Sequence, residues 1–509
     1  MSPARGRARG GTSSAGRTRG GGPALTRRET LRLFGLGAAV AAASGCSLIG
    51  GTPVPELMAS TAPLPKPFAV PLPLPQVARP YKTDAYADYY ELKQRVADVE
   101  ILPGLRTQVW GYDGQFPGPT IRARSGRKTI VRVANGLAAP TVTHLHGGHT
   151  PPQSDGYPTD LVQPGAHRDY EFPLEQRAAT LWYHDHRMDY TGPQVWRGLA
   201  GFFLVGDEEE AALPLPSGER DVPLMICDRS FAEDGTMPYP GREQGPGARE
   251  MFMGGVLGDV ILVNGAPWPQ LRVDRARYRL RLLNGSNART YELALSPGGT
   301  LVRIGSDGGL LAAPRPVRQV RLAPGERVDV VADFSAYRVG DQVELRNLAG
   351  EGPQARVMRF AVDRDARDDS AIPARLSRIE PLDPAKATAT RDFEFSSGSM
   401  HGGTGWLING RPFDVKHVEA RPKLGDTEIW RVTSDVAHPV HLHLAHFQVL
   451  SVNGERPEGP PEWKDTVELR EAQTVEIITR FTGYRGRYVM HCHNLEHEDM
   501  AMMANFDVI

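Results

Sequence analysis

Four histidine pairs of the form His-x-His constrain the fold of this chain more than any other sequence feature. On a β-strand, alternate side chains point to the same face, so each pair places two imidazoles side by side. Neutral imidazole is the commonest protein ligand for transition metals, so eight such rings brought together from two parts of the chain could bind several metal ions. The pairs are His144 and His146, His184 and His186, His441 and His443, and His491 and His493.

The pairs must be compared with the other histidines of the chain before they are taken as evidence for a metal site. A lone histidine is usually a hydrogen-bonded residue of the surface or the core, and one His-x-His pair would be weak evidence for a metal. Four pairs in two segments, with few of the 15 histidines elsewhere, favour metal binding. We expect an ordinary structural role for His149, His167, His401, His417 and His446.

The C-terminal stretch HCHNLEHEDMAMM, residues 491–503, places Cys492 between the histidines of the last pair. On a strand this cysteine must point away from both neighbours, so its sulfur faces a different site while the backbone links it to each imidazole. The arrangement predicts that electrons pass from a metal on the Cys492 sulfur through His491 and His493 to the multi-histidine site.

Further ligands for a metal bound to this sulfur are available nearby. One Cys, two His and a weak axial Met form the ligand set of a blue-copper electron-transfer site. His497 follows in the same motif, and His438 can come from the HPVHLH segment. Met502 has the offset expected of the axial ligand, while Met500 and Met503 fit it less well.

Composition and hydrophobic pattern favour an all-β protein of several domains. The chain has 509 residues, 55 glycines and 43 prolines, with many short β-branched runs between turn residues. Two charged breaks that contain proline, at 206–221 and 364–392, leave blocks at 81–206, 220–364 and 390–509. Each block is long enough for one β-sandwich or barrel. The paired histidines lie in the first and third blocks.

Three segments show the alternation typical of half-buried antiparallel strands. They are RYRLRLLN at 277–284, RVDVVADF at 327–334 and TVEIITRF at 474–481.

The first 46 residues are interpreted as a targeting segment. Residues 1–24 are rich in Arg, Gly and Ser and are expected to be disordered. The twin arginines Arg27 and Arg28 precede an apolar run that is too short to span a bilayer. This pattern indicates a twin-arginine export signal, which implies the twin-arginine export machinery as a partner and a passenger that folds before export.

Two fates of Cys46 stay open. The sequence ASGC resembles a bacterial lipoprotein processing site with Cys46 as the lipidated residue, although Ala43 stands where Leu is usual. The alternative is ordinary cleavage nearby, without a lipid. The proline-rich residues 47–80 are expected to form an extended tether or to wrap along a domain surface. Either fate predicts an extracellular or cell-surface protein.

Only two cysteines, Cys227 and Cys492, remain for the folded body, which allows at most one disulfide. Cys227 lies in the apolar, strand-like run PLMICDRSF, and we expect it to be a buried structural thiol.

The histidine motifs, in this order, resemble those of the multicopper oxidases. The pattern is H-x-H-G, H-x-H, H-P-x-H-x-H and H-C-H-x3-H-x4-M, with every ligand position filled. DVILVNGAPWPQLRV, RLLNGSNARTYELAL, IGSDGGLL and LAPGERVDVVADF are similar to the bacterial spore-coat laccase and bilirubin-oxidase branch. The resemblance covers residues 80–509. It implies three cupredoxin-like Greek-key β-barrel domains, with a mononuclear copper in the third and a trinuclear copper cluster between the first and third.

The resemblance also implies a role for each ligand position, with four copper ions per chain. The type 1 copper would be bound by His438, Cys492 and His497, with Met502 axial. The type 2 copper would be bound by His144 and His441. The type 3 pair would be bound by His146, His184, His186, His443, His491 and His493. Two acids, Asp155 and Glu498, match positions that deliver protons for oxygen reduction; the alternatives are a turn residue beside Gly156 and a solvated surface acid.

The function implied is a laccase-like oxidase, which takes single electrons from a donor at the type 1 copper and reduces O2 to water at the cluster. Phenols, aromatic amines and tetrapyrroles are candidate donors, with Cu(I), Fe(II) or Mn(II) as the alternative. No Met-rich insert is visible among the 13 methionines, which favours an organic donor. A copper nitrite reductase fits the motifs poorly, and complete ligand retention argues against a structural or copper-storage protein. The net charge of −1 argues against nucleic-acid binding.

Overall fold

The computed structural model describes residues 53–242, 247–400 and 403–509. The export signal with Cys46, and His401, lie outside these residues. In the described part of the chain, no helix combines the length and the apolarity needed to cross a membrane. Strands dominate, which confirms the prediction of an all-β protein.

The first block contains two sheets. One has the order β2-β3-β6-β8 with β4 beside β3, and the other has the order β5-β10-β9-β7. The strands are β2 Lys82–Thr83, β3 Ala87–Val99, β4 Thr107–Tyr112, β5 Gly118–Arg124, β6 Lys128–Asn135, β7 Thr143–His146, β8 His167–Phe172, β9 Ala179–Asp185 and β10 Ala200–Gly206, all preceded by β1 Glu56–Met58.

The middle block also contains two sheets, in the orders β14-β13-β11-β16-β21-β18-β19 and β15-β23-β22-β17-β20. The strands are β11 Asp221–Arg229, β12 Val256–Gly258, β13 Val260–Val263, β14 Ala266–Pro267, β15 Gln270–Arg275, β16 Arg277–Asn284, β17 Tyr291–Ser296, β18 Leu301–Ser306, β19 Gly309–Val317, β20 Val320–Leu322, β21 Arg327–Asp333, β22 Gln342–Asn347 and β23 Arg356–Asp365.

The third block repeats the arrangement with sheets in the orders β25-β24-β26-β30-β28 and β29-β27-β31-β32. The strands are β24 Ala389–Met400, β25 Gly403–Ile408, β26 Thr427–Ser434, β27 His438–Leu442, β28 Phe447–Val452, β29 Thr466–Leu469, β30 Thr474–Arg480, β31 Gly486–Cys492 and β32 Met503–Val508. Within the residues that the structure describes, three short α-helices accompany the strands of the whole chain: α1 Thr191–Trp196, α2 Glu208–Ala211 and α3 Leu495–Asp499.

Strands of the three blocks pair within their own block throughout the described residues. Each block has a buried apolar cluster of its own, although the cluster of the middle block extends into the N-terminal segment and the first block. The domain boundaries predicted above stay a prediction, because the described residues from 53 to 509 form one compact unit and are not divided further.

The three alternating segments form β16, β21 and β30, but the first two are not half-buried. Almost every residue of β16 and β21 is buried. Their polar face is covered because Arg279 and Arg281 pair with Glu210 of α2, and Asp329 accepts a hydrogen bond from Thr180 of the first block. Charged residues in a strand therefore marked a contact between blocks and not a solvent-exposed face.

The segment that precedes the first block runs along the middle block. β1 pairs in parallel with β12, and the Phe68 and Leu72 amides donate to the carbonyls of Trp268 and Gln270. Gly254 lies just before β12, and there is no room for a side chain at this position because a Cβ would collide with the backbone of Val54. This strap, residues 53–58, is therefore held directly over Gly254.

Candidate metal centres

Sheets from the first and third blocks bring the paired histidines together. The β7–β9 register sets His144 opposite His184, and the β27–β31 register sets His441 opposite His491. The two sheet ends meet face to face, so that rings of different blocks stack: His146 and His441 have ring centroids 3.7 Å apart. In every pair the two rings lie side by side, with centroids 4.9–5.9 Å apart.

Three groups of imidazole nitrogens converge in this region, two of them sharing His146, and within each group the ligand atoms lie within 4.8 Å of one another. The groups are His144, His146 and His441; His146, His184 and His493; and His186, His443 and His491. Every ring is buried.

The hydrogen bonds of these rings show that they suit metal ions. Buried imidazole nitrogens normally have a partner, yet several here have none: His144 Nε2, His146 Nδ1, His184 Nε2, His186 Nδ1, His441 Nε2 and both nitrogens of His493. Burial lowers the pKa of His184 to about 3 and of His186 to about 4, so these rings are neutral and offer a lone pair. Unpartnered, neutral and convergent nitrogens are the donor set that copper takes.

The opposite nitrogens of several rings are held by backbone carbonyls, which orients the free nitrogen toward the centre of the cluster. His144 Nδ1 lies 2.5 Å from the Asp155 carbonyl oxygen. His184 Nδ1 lies 2.8 Å from the Asp185 carbonyl and His441 Nδ1 lies 2.9 Å from the Asp465 carbonyl.

A second centre surrounds Cys492. Its sulfur lies 3.4 Å from His438 Nδ1 and 3.6 Å from His497 Nδ1, and the two nitrogens are 3.1 Å apart. All three side chains are buried. The prediction that the sulfur points away from the paired histidines is confirmed, because His491 and His493 belong to the other groups.

Met502 is connected to this centre through its backbone. It is buried in the same apolar cluster as Cys492, and its carbonyl accepts a hydrogen bond from the Cys492 amide at 3.1 Å. The Met500 sulfur lies 3.9 Å from an Arg242 nitrogen, and Met503 pairs across the sheet with His491.

The outer nitrogens of the two histidines beside Cys492 have different partners. His497 Nε2 lies 3.2 Å from the Gly254 carbonyl oxygen, beneath the strap. His438 Nε2 lies 3.1 Å from a carboxylate oxygen of Asp435. The buried Trp406 stacks on the His497 ring with centroids 3.8 Å apart.

The two predicted acids lie against the multi-histidine centre. Asp155 follows a 3-10 turn, and Gly156, with a φ of +80°, lets this loop approach the backbone of His144. The Oδ2 atom of Asp155 accepts a hydrogen bond from His443 Nδ1 at 2.8 Å. Glu498 on α3 accepts a hydrogen bond from Thr191 at 2.6 Å, and its other oxygen lies 3.2 Å from His491 Nδ1. Neither acid is solvated.

Sequence reasoning missed a buried ion pair at this centre. Asp465 lies 3.0 Å from His146 Nε2, and Arg327 of the middle block donates to both its oxygens, at 2.7 and 2.6 Å. Burial alone would raise the pKa of Asp465, but Arg327 holds that pKa well below its usual range. The middle block, which has no paired histidine, thus contributes to the site. No local pattern marks either residue.

The residues given an ordinary role behave accordingly. His149 and His446 pair with the carbonyls of Thr482 and Gly147, and His417 pairs with Glu419. None of the described ones joins a metal-binding group. Cys227 is buried, as predicted, and forms no disulfide among the described residues.

Comparisons with known proteins agree with this geometry. Family models described as multicopper oxidase match residues 94–210 and 380–509. A laccase of Bacillus stratosphericus is 38% identical, covering 87% of this chain and 99% of its own length. A bilirubin oxidase of Albifimbria verrucaria is 35% identical over 86% of this chain and 81% of its own. The crystal structure of a laccase from Pediococcus acidilactici Pa5930 covers 91% of this chain and 96% of its own, with a TM-score of 0.79 and 30% identity.

The chain belongs to the multicopper oxidases, whose domains are cupredoxin-like. It is a laccase-like, copper-dependent oxidoreductase that uses O2 as electron acceptor and requires four copper ions.

Proposed function

We propose that the two centres divide the copper ions as the sequence motifs suggest. His438, Cys492, His497 and Met502 bind the type 1 copper, and His144 and His441 bind the type 2 copper. One type 3 copper is bound by His146, His184 and His493, and the other by His186, His443 and His491. The observation that carries this division is the convergence of buried ligand atoms in separate groups, with the atoms of each group within 4.8 Å of one another.

Bound at these residues, copper would supply one-electron oxidation of the donor and the reduction of O2 to two waters, which takes four electrons and four protons. The chain contributes the connection between the centres, because Cys492 is covalently flanked by His491 and His493. It also excludes bulk water, since every proposed ligand is buried. Preorganised ligands of this kind tune the copper and need no rearrangement during turnover.

Asp155 and Glu498 are proposed to supply protons for oxygen reduction. The support is their direct contact with the multi-histidine centre: Asp155 contacts His443, and Glu498 lies near His186 and His491. The Glu498 carboxylate also accepts a hydrogen bond from the Thr191 hydroxyl. This hydroxyl is the next group with which Glu498 can exchange a proton.

The donor is proposed to be a small phenolic or aromatic compound, or a tetrapyrrole. The relatives named above, a laccase and a bilirubin oxidase, support an organic donor. Outside the two centres, no cluster of three His, Cys, Asp or Glu side chains occurs in the described residues apart from one that shares His144 and His443.

The protein is further proposed to leave the cell by the twin-arginine route and to act outside it, with Cys46 lipidated or removed. Arg27, Arg28 and the ASGC sequence support this proposal. Replacing both arginines by lysine should retain the protein in the cytoplasm, which cell fractionation measures.

Cys492→Ser tests the copper assignment, with Cys227→Ser as the matched change at a buried thiol far from the centres. Cys492→Ser should lose the blue absorption band, one of the four coppers and oxygen uptake with 2,6-dimethoxyphenol, because serine is a poor ligand for this copper. Cys227→Ser should keep all three. A fully loaded parent that consumes oxygen only with Cu(I), Fe(II) or Mn(II) would replace the organic donor by a metal ion.

A further inference from the structure

The route by which electrons reach Cys492 depends on which of its histidine partners can be approached from solvent. His438 and His497 are each buried, so a donor can reach either ring only through the groups that cover its outer nitrogen. These covering groups differ between the two rings.

The His497 side is closed. Its outer nitrogen is hydrogen-bonded to the Gly254 carbonyl, and Gly254 is covered by the Val54 backbone of the strap. Trp406, itself buried, covers the face of the ring. A donor would have to displace a strand and its hydrogen bonds to contact this histidine.

The His438 side can be approached from solvent at one side chain. Asp435, which pairs with the His438 outer nitrogen, has a side chain that is 29% exposed. The two residues between Asp435 and His438 in the sequence are also small and reach the surface, since Val436 is partly buried and Ala437 is exposed.

Asp435 is also fixed in place and carries an unneutralised charge. Its two oxygens accept hydrogen bonds from the Ser397 amide and hydroxyl at 2.7 and 2.9 Å and from the Val436 amide at 2.8 Å. These partners are neutral. Within the described residues, no Lys or Arg forms an ion pair with Asp435, whereas Asp392 on β24 pairs with Arg431.

We propose that Asp435 and His438 form the entry point for electrons and that the Asp435 carboxylate selects organic donors that carry a positive charge. The inference rests on the proposed organic-donor function and names the charge of that donor. Asp435 would hold a cationic group at the surface while the aromatic ring of the donor lies over Val436 and Ala437, close to the His438 edge.

The test compares three phenols that differ only in charge. They are 2,6-dimethoxyphenol and its derivatives with a trimethylammoniomethyl or a sulfonatomethyl group at position 4. The parent should prefer the cationic phenol over the anionic one in kcat/KM by about tenfold or more, which is the size expected of one charge at close range near a surface. Because Asp435 is partly exposed, the preference should shrink between about 0.01 M and about 1 M salt.

Asp435→Asn should lower this preference by about tenfold, mainly through KM, and Asp435→Glu should restore most of it because the charge returns. Asp392→Asn is the matched control. It removes the same charge from β24, at a position about 17 Å along the strand from Ser397, the residue that binds Asp435. This variant should leave the preference unchanged. The type 1 reduction potential, followed at the blue band, should rise in Asp435→Asn because His438 loses an anionic acceptor.

The outcomes separate the inference from the function on which it rests. If Asp435→Asn slows all three phenols equally and Asp435→Glu does not recover, Asp435 only orients His438 and the selection of cations is wrong. If the parent oxidises neutral 2,6-dimethoxyphenol but shows no charge preference, the inference fails while the oxidase function stands. If the copper-loaded parent oxidises no phenol, both the organic donor and the inference are overturned.

Discussion

At the scale of single residues, Asp155 shows how one loop residue serves two histidines at once. Its backbone carbonyl holds His144, and its carboxylate holds His443. Asp155→Asn should therefore lower the turnover number for oxygen reduction by about 10- to 100-fold, while anaerobic reduction of the type 1 copper by donor keeps its rate. Stopped-flow absorption at the blue band measures the two half-reactions separately.

Asp160→Asn is the control for this prediction, because Asp160 lies in the same loop but pairs with Arg168 at the surface. It should leave both half-reactions unchanged. Equal slowing of the two half-reactions in Asp155→Asn would show that the substitution disturbs the whole copper arrangement and would contradict a role confined to oxygen reduction.

At the scale of secondary-structure elements, the strap depends on the absence of a side chain at Gly254. In Gly254→Ala the new Cβ meets the Val54 backbone, and backbone cannot move aside as a flexible side chain would. We expect β1 to leave β12 and the Glu56 amide, which donates to the Gly255 carbonyl, to exchange with solvent much faster. Hydrogen–deuterium exchange of residues 53–58 measures this; unchanged protection would mean that the strand pair adapts.

Helix α2 is tied to β16 by ion pairs between Glu210 and the arginines Arg279 and Arg281. Burial alone would raise the pKa of Glu210, but the two arginines outweigh it and lower the pKa to about 2. A lowered folded-state pKa stabilises the fold above the unfolded value of about 4.3, and this contribution is lost as pH falls toward 2.

Glu210→Gln should accordingly destabilise the protein by about 3 kcal/mol at neutral pH, since buried arginines lose a partner. The difference in unfolding midpoint between parent and variant should shrink as pH falls below about 4.3. Glu208→Gln, an exposed position in the same helix, is the control. A difference that does not depend on pH would contradict the ion-pair explanation.

At the scale of the whole molecule, the copper ligands join segments that are distant in sequence, with histidines from the first and third blocks in one cluster. Because copper bound to the native state alone stabilises it by mass action, each ion contributes about 2.7 kcal/mol at a free concentration 100 times its Kd. Removal of copper by a chelator should lower the calorimetric unfolding midpoint, and copper should restore it. An unchanged midpoint in protein shown to be copper-free would contradict this.

The sequence by itself determined the chemistry of the two centres and the all-β class. The reason is physical: the alternation of side chains along a strand is local, so His-x-His and the Cys492 motif specify their directions within three residues. Clustered metal-binding side chains could therefore be predicted before any fold was known, while the role of each ligand, including Met502, came from the family resemblance and stays a prediction. The same locality failed for β16, whose arginines follow a half-exposed pattern but lie against α2 and the first block.

Only the tertiary structure decided what surrounds the ligands. Asp465 and Arg327, 138 positions apart, meet at His146 because three blocks pack around one cluster. Gly254 closes the His497 side because a strap from residue 54 crosses it. Asp435 is only three residues from His438, yet its exposure depends on which neighbouring elements cover it. Burial and long-range pairing are properties of the packed chain, and no local sequence pattern encodes them.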